Sequence, residues 1–373
     1  MDFEFSDEQE QLRDAVRRWV DKGFGFERRH ALAKAGGKTR AVLGELNELG
    51  LAGLAVPEGH GGMGFGAVEA MVVMEELGRG LVNAPYAQAA LVAPTLLSYA
   101  PAALQQQWLP KIAAGEALVV LAQQERASRY RLDQAATQAV EAGGSWKLAG
   151  TKIVVPAGDE ADAFIVSARV AGADGVALFV VDKAAAGLRL RGYPTQDGAR
   201  AADLVLADTP ATLLSRDGLG ALEHAADVAI AALCAEGVGL MDRMVAITVD
   251  YMHQRKQFGV PLATFQALRH RIADVKMQLE LGRSMSYFAS LKLGEPAESR
   301  RRALAQAKVQ LGNSMRFVGQ QCTQIHGGIG VTDEYISSHY FKRMTVIELS
   351  FGDTMHHLGE VSERMRDTAG VFA

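Results

Sequence analysis

Cysteine is scarce: Cys234 and Cys322 are the two in a chain of 373 residues. Both stand in apolar helical contexts, and no C-x-x-C or other ligand spacing is present, so a disulfide framework and a cysteine metal site have no support. They read as reduced core thiols. A strong charge of one sign is also missing. Lysine plus arginine number 39 against 43 aspartate plus glutamate, a formal net charge of −4, which gives no electrostatic handle for nucleic acid or a membrane surface. The start, Met1-Asp2-Phe3-Glu4-Phe5, lacks the basic residues and apolar run of a signal peptide, so a cytoplasmic location is expected. The stretch from Gly80 to Pro110 lacks charge altogether, and its length raises a membrane span. Pro85, Pro94 and Pro101 break it, and Asn83, Gln88 and Gln105 to Gln107 make it polar, so a buried helical pair fits better. G-x-S-x-G, H-E-x-x-H and Walker patterns are absent, which removes hydrolase and kinase readings.

What is there is an ordinary globular balance, 49% hydrophobic and 22% charged, with length for two or three cored domains. From Ser6 to about Ala114 the pattern is helical. Ser6 with Gln9 forms a capping-box signal, and Leu12, Val16, Trp19 and Val20 repeat at helical spacing. From about Glu116 to Thr209 short β-rich runs take over, at Ala117–Leu121, Trp146–Leu148, Lys152–Val155, Ala163–Val166, Val176–Val181 and Leu204–Leu206, and predict a compact antiparallel β domain. From about Leu219 the texture is helical again, with long amphipathic runs at Ala225–Gln254, Phe265–Lys292 and Ser299–Ile325 that suggest an antiparallel bundle with oligomer contacts. The expected organisation is a helical domain over 1–115, a barrel-like β domain over 116–212 and a helical bundle over 213–373.

Each candidate motif has a structural and a chemical reading. Gly59-His60-Gly61-Gly62-Met63-Gly64 fits G-x-G-x-x-G, but a Rossmann site needs a returning parallel strand and an acidic residue about 20 positions on, where Arg79 stands; a glycine turn is preferred. Arg255-Lys256-Gln257-Phe258-Gly259 ends a long helix, so Arg255 either complements the helix dipole or contacts a phosphate with Phe258 against a ring system. Gln324-Ile325-His326-Gly327-Gly328 closes another helix, as a C-cap or as a backbone that approaches a phosphate closely. Asp353, in Phe351-Gly352-Asp353-Thr354, is an N-cap or a general base. His356 and His357 lack the spacing of helical metal ligands, and no metal is expected. Glu236 is a carboxylate in the apolar run Ala229–Gly237, either a base with a raised pKa or half of a buried salt bridge with an arginine of another helix.

Taken in order, these pieces resemble the acyl-CoA dehydrogenase family. Pro57-Glu58-Gly59-His60-Gly61-Gly62, Glu75-Glu76-Leu77-Gly78-Arg79, Trp108-Leu109-Pro110 to Gly115-Glu116, Arg255-x-x-Phe258-Gly259, Phe265-Gln266 and Gln324-x-x-Gly327-Gly328-x-Gly330 carry the resemblance over nearly the whole chain. Gly192-Tyr193-Pro194-Thr195-Gln196-Asp197-Gly198 and His339-Tyr340-Phe341-Lys342-Arg343 look like the narrower bacterial pimeloyl-CoA dehydrogenase small-subunit group. The resemblance implies an α+β multidomain fold of N-terminal helices, central β domain and C-terminal four-helix bundle. It implies FAD-dependent α,β-dehydrogenation of an acyl-CoA, with electrons passed to an electron-transfer flavoprotein. The assembly it implies is a homo-oligomer, dimer or tetramer, or a hetero-oligomer with a larger related subunit. FAD would be met by Arg255, Phe258, Gln266, Gln324, Gly327, Gly328 and Thr354, and by the flavin-facing segments at Gln124 and Val154.

The chain departs from that pattern in two places. The family's catalytic glutamate falls at Gly352, and the alternative base position falls near Ala229. Glu236 is the first substitute and Asp353 the second. The family's threonine–glutamate–proline and tryptophan–isoleucine–threonine runs are replaced by Gln124-Glu125-Arg126 and Val154-Val155-Pro156, so backbone donors are expected to serve the flavin there. A non-catalytic subunit that completes a partner's FAD site is the alternative function.

Overall fold

In the computed structural model, Ser6 opens the first helix as its sequence requires. Its hydroxyl accepts from the Gln9 N–H at 3.3 Å while the Gln9 side chain accepts from the Ser6 N–H at 3.0 Å. The structure describes residues 5–172 and 174–369; the acidic Met1–Glu4 start lies outside them. By their internal contacts those residues fall into two units, one made of the described parts of 1–29, 67–82 and 230–373, the other of the described parts of 30–66 and 83–229. Among the described residues no helix is long and apolar enough to cross a membrane.

The first unit holds α1 (Asp7–Gly23), α4 (Ala67–Arg79), the part of α7 (Leu219–Gln254) from Ile230 onward, and α8 (Gln266–Lys292), α9 (Ala297–His326), α10 (Ile336–Leu349) and α11 (Thr354–Ala369). Val238, Met241, Leu279, Leu304, Leu311 and Tyr340 are among its buried core. Two glycines let α4 and α7 touch backbone to backbone. A Cβ on Gly78 would stand 2.1 Å from the Glu236 carbonyl oxygen, and one on Gly239 would stand 1.9 Å from that of Glu75. Glu76, beside this crossing, takes Arg17 and Arg79, with Arg79 Nε at 2.7 Å. The Glu-Leu-Gly-Arg run is therefore a close helix contact with its ion pairs.

The second unit carries the part of α2 (Phe26–Lys34) from His30 onward, α3 (Arg40–Glu48), a π-helical segment (Ala87–Val92), α5 (Ala93–Leu97), α6 (Ala102–Ala113) and a seven-stranded sheet. The strands are β1 (Val119–Ala122), β2 (Gln138–Ala142), β3 (Ser145–Pro156), β4 (Ala163–Val170), β5 (Ala177–Asp182), β6 (Leu188–Pro194) and β7 (Arg200–Ser215). They run in the order β1-β4-β2-β3-β7-β5, with β6 on β7 and a further β4–β5 pairing. Two of these pairings, β1 with β4 and β2 with β4, are parallel rather than antiparallel, because these partners are not joined by hairpins and long connections let a strand return in either sense. The uncharged stretch after Gly80 is buried here, as Leu91, Val92, Leu96 and Leu97 show. Gly59–Gly64 is a tight turn. A Cβ on Gly62 would meet the Val56 carbonyl oxygen at 2.0 Å, and the preceding Leu51–Gly53 is a 3₁₀ turn rather than a strand. The Rossmann reading thus lacks its first strand.

Candidate functional site

The end of α7 is shaped by a two-residue hairpin. Lys256–Gln257 pairs antiparallel with Val260–Pro261, and the loop between them is Phe258-Gly259 at φ +53° and +81°. Both positive values suit a type I′ turn, which glycine tolerates and phenylalanine resists. The strain presents the Phe258 ring at the tip, 93% exposed, edge-on to Phe265 at 6.2 Å. Arg255 and Gln266 flank the hairpin and are exposed. One helical turn before Arg255, the Tyr251 hydroxyl donates to the His326 carbonyl at 3.3 Å. The ends of α7 and α9 therefore lie together. α9 stops at Gly327, φ +66°, whose N–H caps Gln324 and Thr323 carbonyls. Gln324, Gly327 and Gly328 are exposed, and a Cβ on either glycine would meet nothing within 4 Å. His326 behind them is buried between Tyr251 and Tyr335. Its Nδ1 pairs with the Cys322 carbonyl at 2.9 Å, its Nε2 has no partner among the described residues, and burial lowers its pKa.

The two candidate bases are both engaged. Glu236, 4% exposed, is gripped by Arg343 of α10 through Nε at 2.5 Å and Nη2 at 2.8 Å, one nitrogen to each carboxylate oxygen. This is a bidentate pair, buried between helices. Asp353 caps α11, its Oδ1 accepting from the His356 N–H at 2.8 Å. The turn that carries Asp353 is tied from three sides. Lys308 of α9, 1% exposed, donates to the carbonyls of Ile347, Glu348 and Gly352 at 2.9 Å each. Glu348 accepts from Arg316 at 3.0 Å and from the Thr354 N–H and hydroxyl at 3.1 and 2.8 Å. His357 pairs with the Phe351 carbonyl at 2.9 Å. Burial, then the neighbouring Lys308 charge, pushes the His357 pKa down to about 3. Gly352 has φ +109°, and a Cβ there would lie 2.5 Å from His357 Nε2 and 2.6 Å from His356 Cδ2. Position 352 thus has no room for a side chain.

Comparison with known proteins decides the family. Sequence models of the acyl-CoA dehydrogenase N-terminal, middle and C-terminal domains match residues 6–116, 121–208 and 216–366. The chain belongs to the acyl-CoA dehydrogenase family of oxidoreductases. It is 26% identical to an acryloyl-CoA reductase (NADH) of Anaerotignum propionicum over 96% of this chain and 94% of that one. It is 27% identical to the mitochondrial short-chain specific acyl-CoA dehydrogenase of Bos taurus, over 84% and 79%. Among solved structures, a single-residue variant of the Tcur3481–Tcur3483 steroid ACAD superposes at TM-score 0.88 with 29% identity, covering 98% of this chain and 99% of that one. The ChsE4–ChsE5 complex of Mycobacterium tuberculosis gives 0.88 at 24% identity over 98% and 99%, a likeness of fold.

The family is FAD-dependent, and the residues expected to meet that cofactor stand in two regions of this chain. The hairpin end fits its adenine–diphosphate half: an uncovered aromatic ring, an exposed guanidinium and a glycine pair open to backbone approach. The β domain fits its ring half poorly. Gln124 is half-buried and its carbonyl accepts from the Ile153 N–H at 2.9 Å. The Val154 N–H, an expected donor to the flavin, goes instead to the Tyr193 hydroxyl at 3.2 Å and Asp203 Oδ1 at 3.3 Å. Behind this edge Lys152 is wholly buried against Glu125 at 2.6 Å and Ser167 at 3.0 Å. Glu125 also takes the Ala136 and Thr137 N–H groups and the Thr137 hydroxyl, at 2.6, 3.1 and 2.6 Å.

Sequence reasoning missed Lys308, Lys152 and Tyr193 as organising residues. Lys308 had a signal, since it stands four residues from both Leu304 and Gly312 on the buried stripe of α9. A lysine in that stripe asks for carbonyl or carboxylate partners.

Proposed function

We propose that this chain is a subunit of an FAD-dependent acyl-CoA dehydrogenase that oxidises an acyl-CoA thioester between Cα and Cβ and passes electrons to an electron-transfer flavoprotein. The exposed Phe258 ring, held out at φ +53° beside Arg255, is the observation that carries this reading. A bare aromatic ring on a strained turn costs free energy unless something covers it. Phe258 would stack on the adenine, Arg255 would pair with phosphate, and the Gly327–Gly328 backbone would let the diphosphate approach. Gln266 and Gln324 would line the same half, and Thr354 would lie near the cofactor. FAD, when bound, accepts the hydride. The narrower likeness of Gly192–Gly198 and His339–Arg343 supports a dicarboxylyl or other bulky acyl group, and a cytoplasmic setting goes with it.

A second reading is favoured by Glu236 and Asp353. Arg343 takes both oxygens of the first carboxylate, and α11 takes the second. On this reading the chain completes the FAD site of a larger related subunit that brings the base, an arrangement in keeping with the paired names of two of its structural relatives. Anaerobic bleaching of the purified assembly by an acyl-CoA tests both. Bleaching supports the family chemistry, and no bleaching with any acyl-CoA contradicts it. Glu236→Gln and Asp353→Asn are expected to change the rate by less than about twofold. A loss of about 100-fold or more in a variant whose urea midpoint equals that of the parent, the size of a lost general base, assigns the base to this chain and rules out the second reading; the same loss with a lowered midpoint reports the broken ion pair instead.

A further inference from the structure

The second unit buries carboxamides that its own groups do not satisfy. From Asn83 to Pro110 there is no charged residue, and Leu91, Val92, Leu96 and Leu97 are buried. Gln88 lies in this apolar stretch at 7% exposure. It opens the π-helical turn: the Ala93 N–H donates to the Gln88 carbonyl five residues back. Pro94 follows, and its ring would meet the Ala90 carbonyl in a regular α-turn. Such widened turns recur at functional sites. This one sets Gln88 against β1, where its Oε1 accepts from the Leu121 N–H at 3.4 Å. That N–H decides which end of the carboxamide is oxygen. The Nε2 donors are then left without an acceptor among the described residues. Two residues beyond Leu121, the Gln123 side chain makes no hydrogen bond among the described residues, and its Oε1 is a buried acceptor. Gln124, next in the chain, is where the family likeness turns the backbone toward the flavin.

A free donor and a free acceptor therefore stand at one end of β1, and leaving both unmade is costly. A carboxylate would bring acceptors alone and a charge. Lys152 is the cation at this strand end, and its three N–H groups are already used by Glu125, Ser167 and the Gln123 carbonyl. A ketone would answer the donor alone. A hydroxyl answers both.

We propose that Gln88 and Gln123 select a substrate whose acyl chain carries a neutral hydroxyl, with Gln88 Nε2 donating to the hydroxyl oxygen and Gln123 Oε1 accepting from its O–H. The inference rests on the acyl-CoA reading above, and of the acyl groups which that reading leaves open it takes a hydroxylated chain over a dicarboxylyl one. The test is anaerobic bleaching of the purified assembly. Unsubstituted acyl-CoAs of different lengths first give the length that bleaches fastest. At that length the plain ester is compared with its single-hydroxyl derivatives and with the ester that carries a terminal carboxylate. One hydroxyl derivative is expected to exceed both in kcat/KM by about 10-fold, the size of one or two hydrogen bonds. Gln88→Met and Gln123→Met are each expected to remove that preference through KM and to leave the plain ester within about twofold. Gln123→Met breaks no hydrogen bond of the chain, so it keeps the test sound if Gln88→Met fails to fold. Bleaching without a hydroxyl preference, a preference for the carboxylate, or an equal loss for plain and hydroxylated esters in Gln123→Met overturns the hydroxyl site and leaves the family chemistry standing; amides satisfied by a buried water would give the first of these. No bleaching with any acyl-CoA overturns both.

Discussion

Glu236 and Arg343 show what a residue-scale reading resolves and what it leaves open. That a lone carboxylate in the apolar run Ala229–Gly237 has a special role is legible, because an unpaired buried charge is prohibitive. Its partner is not legible, since Arg343 stands 107 residues away and the pairing depends on helix packing. Arg343→Met would strand the carboxylate, and a loss of about 3–5 kcal/mol in urea unfolding is expected. A loss under about 1 kcal/mol would mean that the pair is solvated. His357 gives a pH dependence. Its pKa is about 3 in the folded chain and near 6.5 unfolded, so the unfolded chain binds the extra proton between those values. Its stabilising contribution is therefore complete above about pH 6.5 and declines as pH falls toward 3, by up to about 1.4 kcal/mol per unit. Burial lowers His326 and His339 in the same direction. Urea midpoints at pH 7 and pH 5 should converge in His357→Gln relative to the parent; an unchanged gap would contradict the assignment.

At the scale of elements, the helices were legible because their signals are local: the Ser6 box and the apolar spacing of α7, α8 and α9 need no distant partner. β2 and β6 were not picked out. Gln138–Ala142 has one β-branched residue, and Leu188–Pro194 is stabilised by its pairing along β7. The helix crossing at Gly78 and Gly239 was also invisible, because a glycine inside a helical pattern reads as a mere cost until the other backbone is in place. Gly239→Ala is expected to destabilise by about 1–3 kcal/mol or more, since its Cβ would enter the Glu75 carbonyl. Gly359→Ala, on α11 with nothing within 4 Å of its Cβ, is expected to stabilise by about 0.4–1 kcal/mol. Thermal melts of the two variants moving the same way would contradict this packing.

At the scale of the whole molecule, the order of weak motifs along the chain was more informative than any one of them. The family follows from that order, whereas the site's departures follow from positions where a family residue is missing. Gly352 was legible as an absence, but the reason was not: the His356 and His357 rings stand where a side chain would go. The same holds for Val154, whose amide had to be seen bonded to Tyr193 and Asp203. What remains outward is the hairpin after α7. The grip of that hairpin on FAD is tested most directly by equilibrium dialysis of FAD from the purified assembly carrying Phe258→Ala. Phe258 is 93% exposed, so folding of the chain is expected to be untouched. FAD affinity is expected to fall by about 10-fold or more, the size of a lost aromatic stack of roughly 1.4 kcal/mol; an affinity equal to that of the parent assembly would contradict it.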